Sequence, residues 1–551
     1  MTTQADILIH NAKVLTGDPS CPRADWVAIS GRKIQSVGQA DQAPPLGPLT
    51  RRLDGQGATL TAGLNDAHLH LFGGGLSLAD LSLAGVMGLD AFRAAVSDYR
   101  ARHPGLRFLA AQSCDYHIVS AESFPDRHIL DDLCPDIPMM VMAVDYHTAW
   151  VNTAALKLAG IERGADLSPG NVIVLDDAGN ATGTLLEFEA IDLVRQVNPA
   201  AARHFSAAQD PFRRPNVSEA DRSADRETLW TALTHCAAQG LTAVQNMDGS
   251  LYQLELLAEL DASRGLPVRV RVPFHIQQGH GPADLAHAVR WRKAHQSEML
   301  RCDFVKIFAD GVIDSGTAFM LEDYSHTPGN RGTALFSDEE LNAIITEADR
   351  LGFQVAVHCV GDGAVRQVLN AYEAAQKANG RRDSRHRIEH IEVIDPADIP
   401  RFAELGVVAS MQPTHTPEGG EGYLDLIGPA RGRYAFALAD LRAAGAAFVF
   451  ATDWPVAPLE PGITLAAAVH RPDWSSGGPV QRVDLATALY GITEAAAWVA
   501  FDEAARGRIA PGLAADLTLF DRDIEAADEA GLAESGARLT ICAGRLTHNN
   551  L

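Results

Sequence analysis

Several features are scarce in this sequence, and each scarcity closes off a class of protein. No apolar run approaches the ~18 residues of a membrane-spanning helix, although 46% of the residues are hydrophobic. The N-terminus, MTTQADILIH, has no basic stretch leading into an apolar core, so no secretory signal is expected. The seven cysteines (21, 114, 134, 236, 302, 359 and 542) are odd in number and scattered, with no Cys-x-x-Cys. They read as reduced thiols of a cytoplasmic enzyme rather than a disulfide frame. Positive charge is the minority, with 46 Lys and Arg against 70 Asp and Glu, a net charge of −24. That field repels phosphate backbones, so neither nucleic acid nor a membrane is an expected partner. There is no Gly-x-Ser-x-Gly, no Walker A loop and no Gly-x-Gly-x-x-Gly opening a helix. Serine hydrolase, nucleoside triphosphatase and dinucleotide-binding readings therefore have no anchor.

What is present is enough chain, 551 residues, for more than one domain. Residues 1–58 read as short alternating strands broken by Gly31, Gly38, Gly55 and Gly57, and 499–551 repeat that character. Each end has too few strands to close a core, so the two are expected to pair into one β-sandwich. Between about 226 and 498, seven helix-to-strand units follow one another, ending in LTAVQNM, VRVRVPFHI, CDFVKIFADG, QVAVHCVGDG, RHRIEHIEV, VVASMQPT and AFVFATDWP. With an opening strand in 59–75 they make eight, the number in a (β/α)₈ TIM barrel. A doubly wound open sheet is the alternative.

The opening strand carries Asp66, His68 and His70 in NDAHLHL. The period of two along a strand puts both imidazoles on one face. Two neutral imidazoles are half a metal site, but 20 histidines give roughly 0.7 His-x-His pairs by chance. The weight comes from the other strand ends. Lys306 lies in strand 4, His358 ends strand 5, His390 ends strand 6 and Asp453 follows strand 8. The interval from 358 to 390 is 32 residues and from 390 to 453 is 63, close to one and two barrel units of roughly 30 residues. The 236 residues from 70 to 306 far exceed three such units, so residues 76–225 read as an α/β insertion roofing the site. Taken singly, each residue has a structural explanation. Lys306 could pair with Asp303 or Asp310, His358 could be a core histidine, His390 could pair with Glu389 or His386, and Asp453 could cap a turn. Six candidate residues in step at strand ends favour a site for two divalent metals, zinc first, with manganese or iron as alternatives.

AGLNDAHLHL, VKIFADG, AVHCVGDGA, RHRIEHIEV and FATDWPV together resemble the amidohydrolase superfamily, in particular its large branch that includes N-substituted formamide deformylases. DYHTAWVNTAALKLAGI and ATGTLLE in the insert, and the late GITEAAAWVAFDEAARGRIAPGLAADLTLFDRD, fit that branch too, so the resemblance spans nearly the whole chain. Asn65 departs from the acidic or aliphatic residue often found before this Asp-x-His-x-His. The resemblance implies a metal-dependent hydrolase, His68, His70, Lys306, His358, His390 and Asp453 as ligands, a carboxylated Lys306 bridging two ions, and a homodimer. It implies hydrolysis of a C–N bond in an amide, N-substituted formamide or cyclic amide of small size, with Asp453 moving the proton of the attacking water. His147 is a candidate for oxyanion stabilisation, and Tyr146, His147, Trp150 and Asp310 are candidates for substrate binding. A decarboxylase or isomerase on the same scaffold, or a non-catalytic scaffold of this fold, are the competing classes.

Overall fold

The computed structural model describes all residues except 1–3, 121–122, 144–147, 168–170, 187, 210, 213, 418–419 and 473–479. The chain divides into two compact units, Met1–Leu71 with Leu229–Leu551, and Phe72–Thr228. Among the described residues, no helix is long and apolar enough to cross a membrane.

The larger unit is built on eight parallel strands in chain order: β1 (Leu64–Leu69), β2 (Leu241–Asn246), β3 (Arg269–Ile276), β4 (Leu300–Phe308), β5 (Gln354–Cys359), β6 (Arg387–His390), β7 (Val408–Met411) and β8 (Ala447–Phe450). Helices such as Asp338–Arg350 and Asp362–Asn379 connect them, the first opened by a Ser337–Glu340 capping box. No ladder joins β8 to β1. The gap is bridged by Asp453 N donating to His68 O and His70 N donating to Trp454 O, both at 2.8 Å. The result is a nearly closed barrel, and the bridging segments are the ones that carry ligand candidates.

The single strand expected over 59–70 is two strands. Thr59–Ala62 pairs with Leu517–Phe520 in a terminal sheet, and only Leu64–Leu69 belongs to the barrel. Gly63 is the joint: a Cβ there would lie 2.3 Å from the Thr242 side chain, too close for any other residue. That terminal sheet runs Arg545–Asn549, Ala537–Cys542, Leu517–Phe520, Thr59–Ala62, Lys13–Leu15, Arg23–Ala24, drawing strands from both ends of the chain. A second sheet, Lys33–Gly38, Trp26–Ser30, Ile7–His10, Arg51–Asp54, shares with it one apolar core that includes Val27, Leu60, Leu517 and Ile541.

Barrel interiors are ordinarily filled with branched aliphatic side chains. Here two guanidinium groups occupy that space. Arg271 on β3 donates to Gln245 on β2 at 2.9 Å and to Gln354 on β5 at 3.2 Å, while Arg387 on β6 donates to the same Gln245 oxygen at 2.9 Å. Arg387 is 0% exposed.

The smaller unit holds a mixed sheet in the order Val172–Leu175, Ala181–Leu186, Thr148–Val151, Met139–Ala143, Leu109–Cys114, Leu81–Ser82. Separate apolar clusters pack against it, one centred on Phe92, Val141 and Trp150, the other on Met140, Val151 and Ile191.

Candidate metal centre

At the C-terminal end of the barrel strands, His68 and His70 both turn Nε2 toward Asp453 Oδ1, at 3.4 and 3.1 Å. The other ring nitrogen of each is already committed. His68 Nδ1 lies 2.8 Å from Glu389 Oε2, and His70 Nδ1 lies 2.7 Å from Asp248 Oδ1. An ionised carboxylate only accepts, so the nitrogen facing it carries the hydrogen; the His68 ring, held neutral, presents a lone pair at Nε2, and His70 presents one when a cation displaces its second proton. A lone pair and a carboxylate oxygen converging on one point repel each other unless a cation, a proton or a metal ion, sits among them. His390 joins the group: donor atoms of His68, His390 and Asp453 lie within 4.8 Å of one another. Its ring centroid is 4.8 Å from that of His68 and 4.6 Å from that of His358. His358 gives Nε2 to the Gly311 carbonyl at 3.0 Å, which leaves Nδ1 as the nitrogen with a lone pair. Gly311 is required there, because a Cβ would lie 2.1 Å from Thr317 Oγ1.

The backbone is strained where ligands sit. His390 (φ 74°), Ile391 (φ 53°) and Asp453 (φ 63°) are all left-handed, a conformation costly to non-glycine residues. Hydrogen bonds from Ile391 N to Cys359 O at 3.0 Å and from Asp453 N to His68 O at 2.8 Å hold the two turns.

Electrostatics favour a neutral-donor set. Burial, with help from Lys306, lowers His68 to about 4 and His358 to about 3. Burial and the neighbouring His358 hold His390 well below the usual imidazole range. Burial also brings Lys306 down to about 8, near enough to neutrality for the free amine to be accessible. That lysine is 0% exposed, Nζ has no hydrogen-bond partner among the described residues, and it lies 4.6 Å from the centre of the Phe308 ring. The structural alternatives close accordingly: Asp303 pairs with Arg271 and Arg301, and Asp310 accepts from the backbone of Phe319, Val360 and Gly361. Two residues act oppositely to the neutral set. Burial opposes charge on His70, yet Asp248 and Asp453 carry it up to about 10. Burial likewise opposes ionisation of Asp453, and His68 and His70 hold its carboxyl well below the usual range. Converging nitrogen and oxygen donors plus an unpartnered buried amine form a set that fits divalent ions.

Of the six expected ligands, His68, His390 and Asp453 bring donor atoms within 4.8 Å of one another, His70 reaches the same Asp453 oxygen, and His358 stacks edge-on against His390, with Lys306 buried nearby. Of the substrate candidates, Trp150 is 1% exposed in the core of the smaller unit, with its ring 5.2 Å from Tyr116, which is a packing role. Asp310 is buried beside His358, with Oδ1 3.6 Å from Nε2, and serves to hold the turn after β5. Tyr146 and His147 lie outside the described residues. Glu389, Arg387, Asp248 and His415 belong to the site and were not read from sequence. Glu389 and Arg387 had a signal, since alternation in RHRIEH places both on one face of a buried strand. Arg387 donates through Nη2 to Glu389 Oε2 at 2.8 Å and to Ala67 O at 2.6 Å, so one guanidinium ties the His68 partner to the His68 strand.

The geometry is a nearly closed parallel barrel with histidines and an aspartate gathered at its strand ends, and comparison with known proteins places it. Residues 52–548 match the amidohydrolase family, and the chain belongs to it. Protein LONG AFTER FAR-RED 3 of Arabidopsis thaliana is 30% identical over 545 residues, covering 95% of this chain and 89% of that protein. N-substituted formamide deformylase of Arthrobacter pascens is 27% identical over 542 residues, covering 95% of this chain and 94% of that one. An uncharacterized metal-dependent hydrolase from Pyrococcus furiosus shares the fold with a TM-score of 0.72 at 24% identity, over 94% of this chain and 99% of that one.

Proposed function

We propose that this protein hydrolyses the C–N bond of a small amide, with N-substituted formamides as the first class to try. The observation that carries the reading is the convergence of the His68 and His70 Nε2 atoms on Asp453 Oδ1, with both Nδ1 atoms tied to carboxylates. The similarity to a formamide deformylase supports the substrate class. His68, His70, His358, His390, Asp453 and a carboxylated Lys306 would hold two divalent ions, zinc first. Such ions lower the pKa of water to about 7 and polarise a carbonyl oxygen. Around them, Glu389 and Asp248 keep the His68 and His70 rings in the ligating tautomer. Asp453, whose Oδ1 faces His68 and His70, would use Oδ2 to take a proton from the attacking water and pass it to the leaving nitrogen. Homodimerisation stays part of the proposal.

The test is metal content by inductively coupled plasma mass spectrometry on protein purified without chelator, together with amine release from a panel of N-substituted formamides. About two ions per chain and amine release in wild type, with fewer ions in Lys306→Ala, is the expected result. Protein that binds no metal and releases no amine after zinc, manganese or iron(II) is added would sink the reading.

A further inference from the structure

The sheet does not join β8 to β1, and neighbouring residues of β1 meet that seam in different ways. Asp66, on the face that carries His68, crosses it directly. Its carboxylate accepts from Thr452 Oγ1 at 2.5 Å and Thr452 N at 3.3 Å, and from His68 N at 3.0 Å. Asn65, one residue earlier, belongs to the opposite face of the strand, away from the metal centre. It is 1% exposed, yet neither Oδ1 nor Nδ2 meets a hydrogen-bond partner among the described residues. Thr464 stands in the helix Pro461–His470 that follows β8. It is 2% exposed, and its Oγ1 is likewise without a partner.

Both side chains line one cavity of about 20 Å³, walled by Leu241, Phe450, Leu459 and Ile492, which are themselves buried. Three polar atoms left bare in such a place are costly. A water molecule needs at least about 10–15 Å³ and bonds two to four polar groups, so this space has room for one and the amide and hydroxyl to hold it. Anything much larger exceeds the volume. A cation does not suit the place either. Asp66 borders the cavity, but its oxygens are engaged by Thr452 and His68, and no other charged side chain lines it. An entirely apolar cavity would stay dry, so it is Asn65 and Thr464 that make this one a site.

We propose that a single water molecule is built into this cavity, bonded to the Asn65 amide and the Thr464 hydroxyl, and that it ties the helix after β8 to β1 where no ladder does. The seam is then closed twice, directly by Asp66 on the inner side and through water on the outer side. The inference is independent of the reaction proposed above.

Two variants separate a bound water from plain packing. Thr464→Val keeps the shape of the side chain and loses the hydroxyl, whereas Thr464→Ser keeps the hydroxyl and loses a methyl group. Oxygen-17 relaxation dispersion on the full-length protein counts the waters held inside it. Wild type and Thr464→Ser should give the same number, and Thr464→Val one fewer. Thr464→Val should also unfold at a lower urea concentration than wild type, because it strands the Asn65 amide. A crystal structure of wild type should show one density peak about 2.7–3.2 Å from the Asn65 amide and from Thr464 Oγ1. An empty cavity, a direct Asn65–Thr464 bond, or a peak ringed by roughly six oxygens as a metal ion requires would overturn the inference. An unchanged water count or an unchanged urea midpoint in Thr464→Val would overturn it as well. If Thr464→Val does not fold, the crystal structure of wild type decides alone.

Discussion

The two units of this chain bury different things. The barrel unit hides Arg269, Arg271, Lys306, Arg387 and Glu389, together with His68, His358 and His390. Among the described residues of the smaller unit, the buried polar side chains are Thr148, Asn152 and Asp225, and the rest of its interior is aliphatic, aromatic or sulfur-bearing. Buried ion pairs add little net stability, because desolvation offsets their attraction, whereas apolar burial contributes roughly 25 cal/mol per Å². The barrel interior is thus arranged for chemistry at a cost in stability, while the smaller unit's core is arranged for packing.

The largest effect expected from this contrast is at Arg387. Its guanidinium meets Glu389, Gln245, Ser410 and the Ala67 carbonyl, and it holds the Glu389 carboxyl, against the opposing effect of burial, well below the usual range. Arg387→Ala would strand a buried carboxylate and should destabilise the barrel by about 3–5 kcal/mol. The double variant Arg387→Met with Glu389→Met should recover most of that loss, as removing a buried pair together costs far less than removing one member. Urea midpoints compare the three proteins. A double variant as unstable as the single one would mean the ion pair is itself stabilising.

Asn152 is the counterpart in the smaller unit, where one polar side chain is fully used. Its Nδ2 donates to Cys134 O and Ile137 O, both at 2.8 Å, and its Oδ1 accepts from Met139 N and Ala155 N, both at 2.9 Å. Asn152→Ala leaves buried backbone groups unpaired and should cost about 2–3 kcal/mol. The loss should appear as faster amide hydrogen exchange in Phe72–Thr228, with metal content unaltered. Exchange that rises equally in both units would break the contrast.

The contrast also explains which parts could be read in advance. The strand alternation and the unit spacing made the strand-end positions of His68, His70, Lys306, His358, His390 and Asp453 legible, because a residue's position along its own strand is a local property. Which carboxylate orients which imidazole is not local. Glu389 meets His68 across 321 residues and Asp248 meets His70 across 178, and no periodicity encodes such pairings. His415 was missed because strand 7 offered one histidine in a turn, with its partners Glu392 and Tyr423 on other segments. Trp150 was over-read for the opposite reason: an aromatic among apolar strands looks the same from sequence whether it lines a pocket or fills a core. The joint at Gly63 was invisible because only the nearness of Thr242 demands it.

The smallest expected effect concerns acid, and it probes buried charges between a barrel helix and the segment leading into β6, away from the candidate metal centre. Asp349 accepts from Arg382 Nε at 2.7 Å and Asn379 Nδ2 at 2.8 Å, and lies 3.1 Å from His386 Nε2. Burial opposes its ionisation, but these partners bring it down to about 2. A carboxyl depressed in the folded state stabilises above the unfolded value near 3.8 and loses that contribution as pH falls toward 2. Burial also lowers His386, so below about pH 6.5 the unfolded chain takes a proton that the folded one resists, which again favours unfolding in acid. Both signs agree, and the Asp349 share alone should cost the barrel about 1 kcal/mol between pH 7 and pH 3. Urea unfolding of wild type and Asp349→Asn across that range isolates the effect: the variant should be less stable at pH 7 and should converge on wild type in acid. Parallel curves would place the barrel's acid sensitivity elsewhere, and hydrogen exchange resolved by unit would then show whether the barrel, with its buried charges, still unfolds in acid before the apolar unit does.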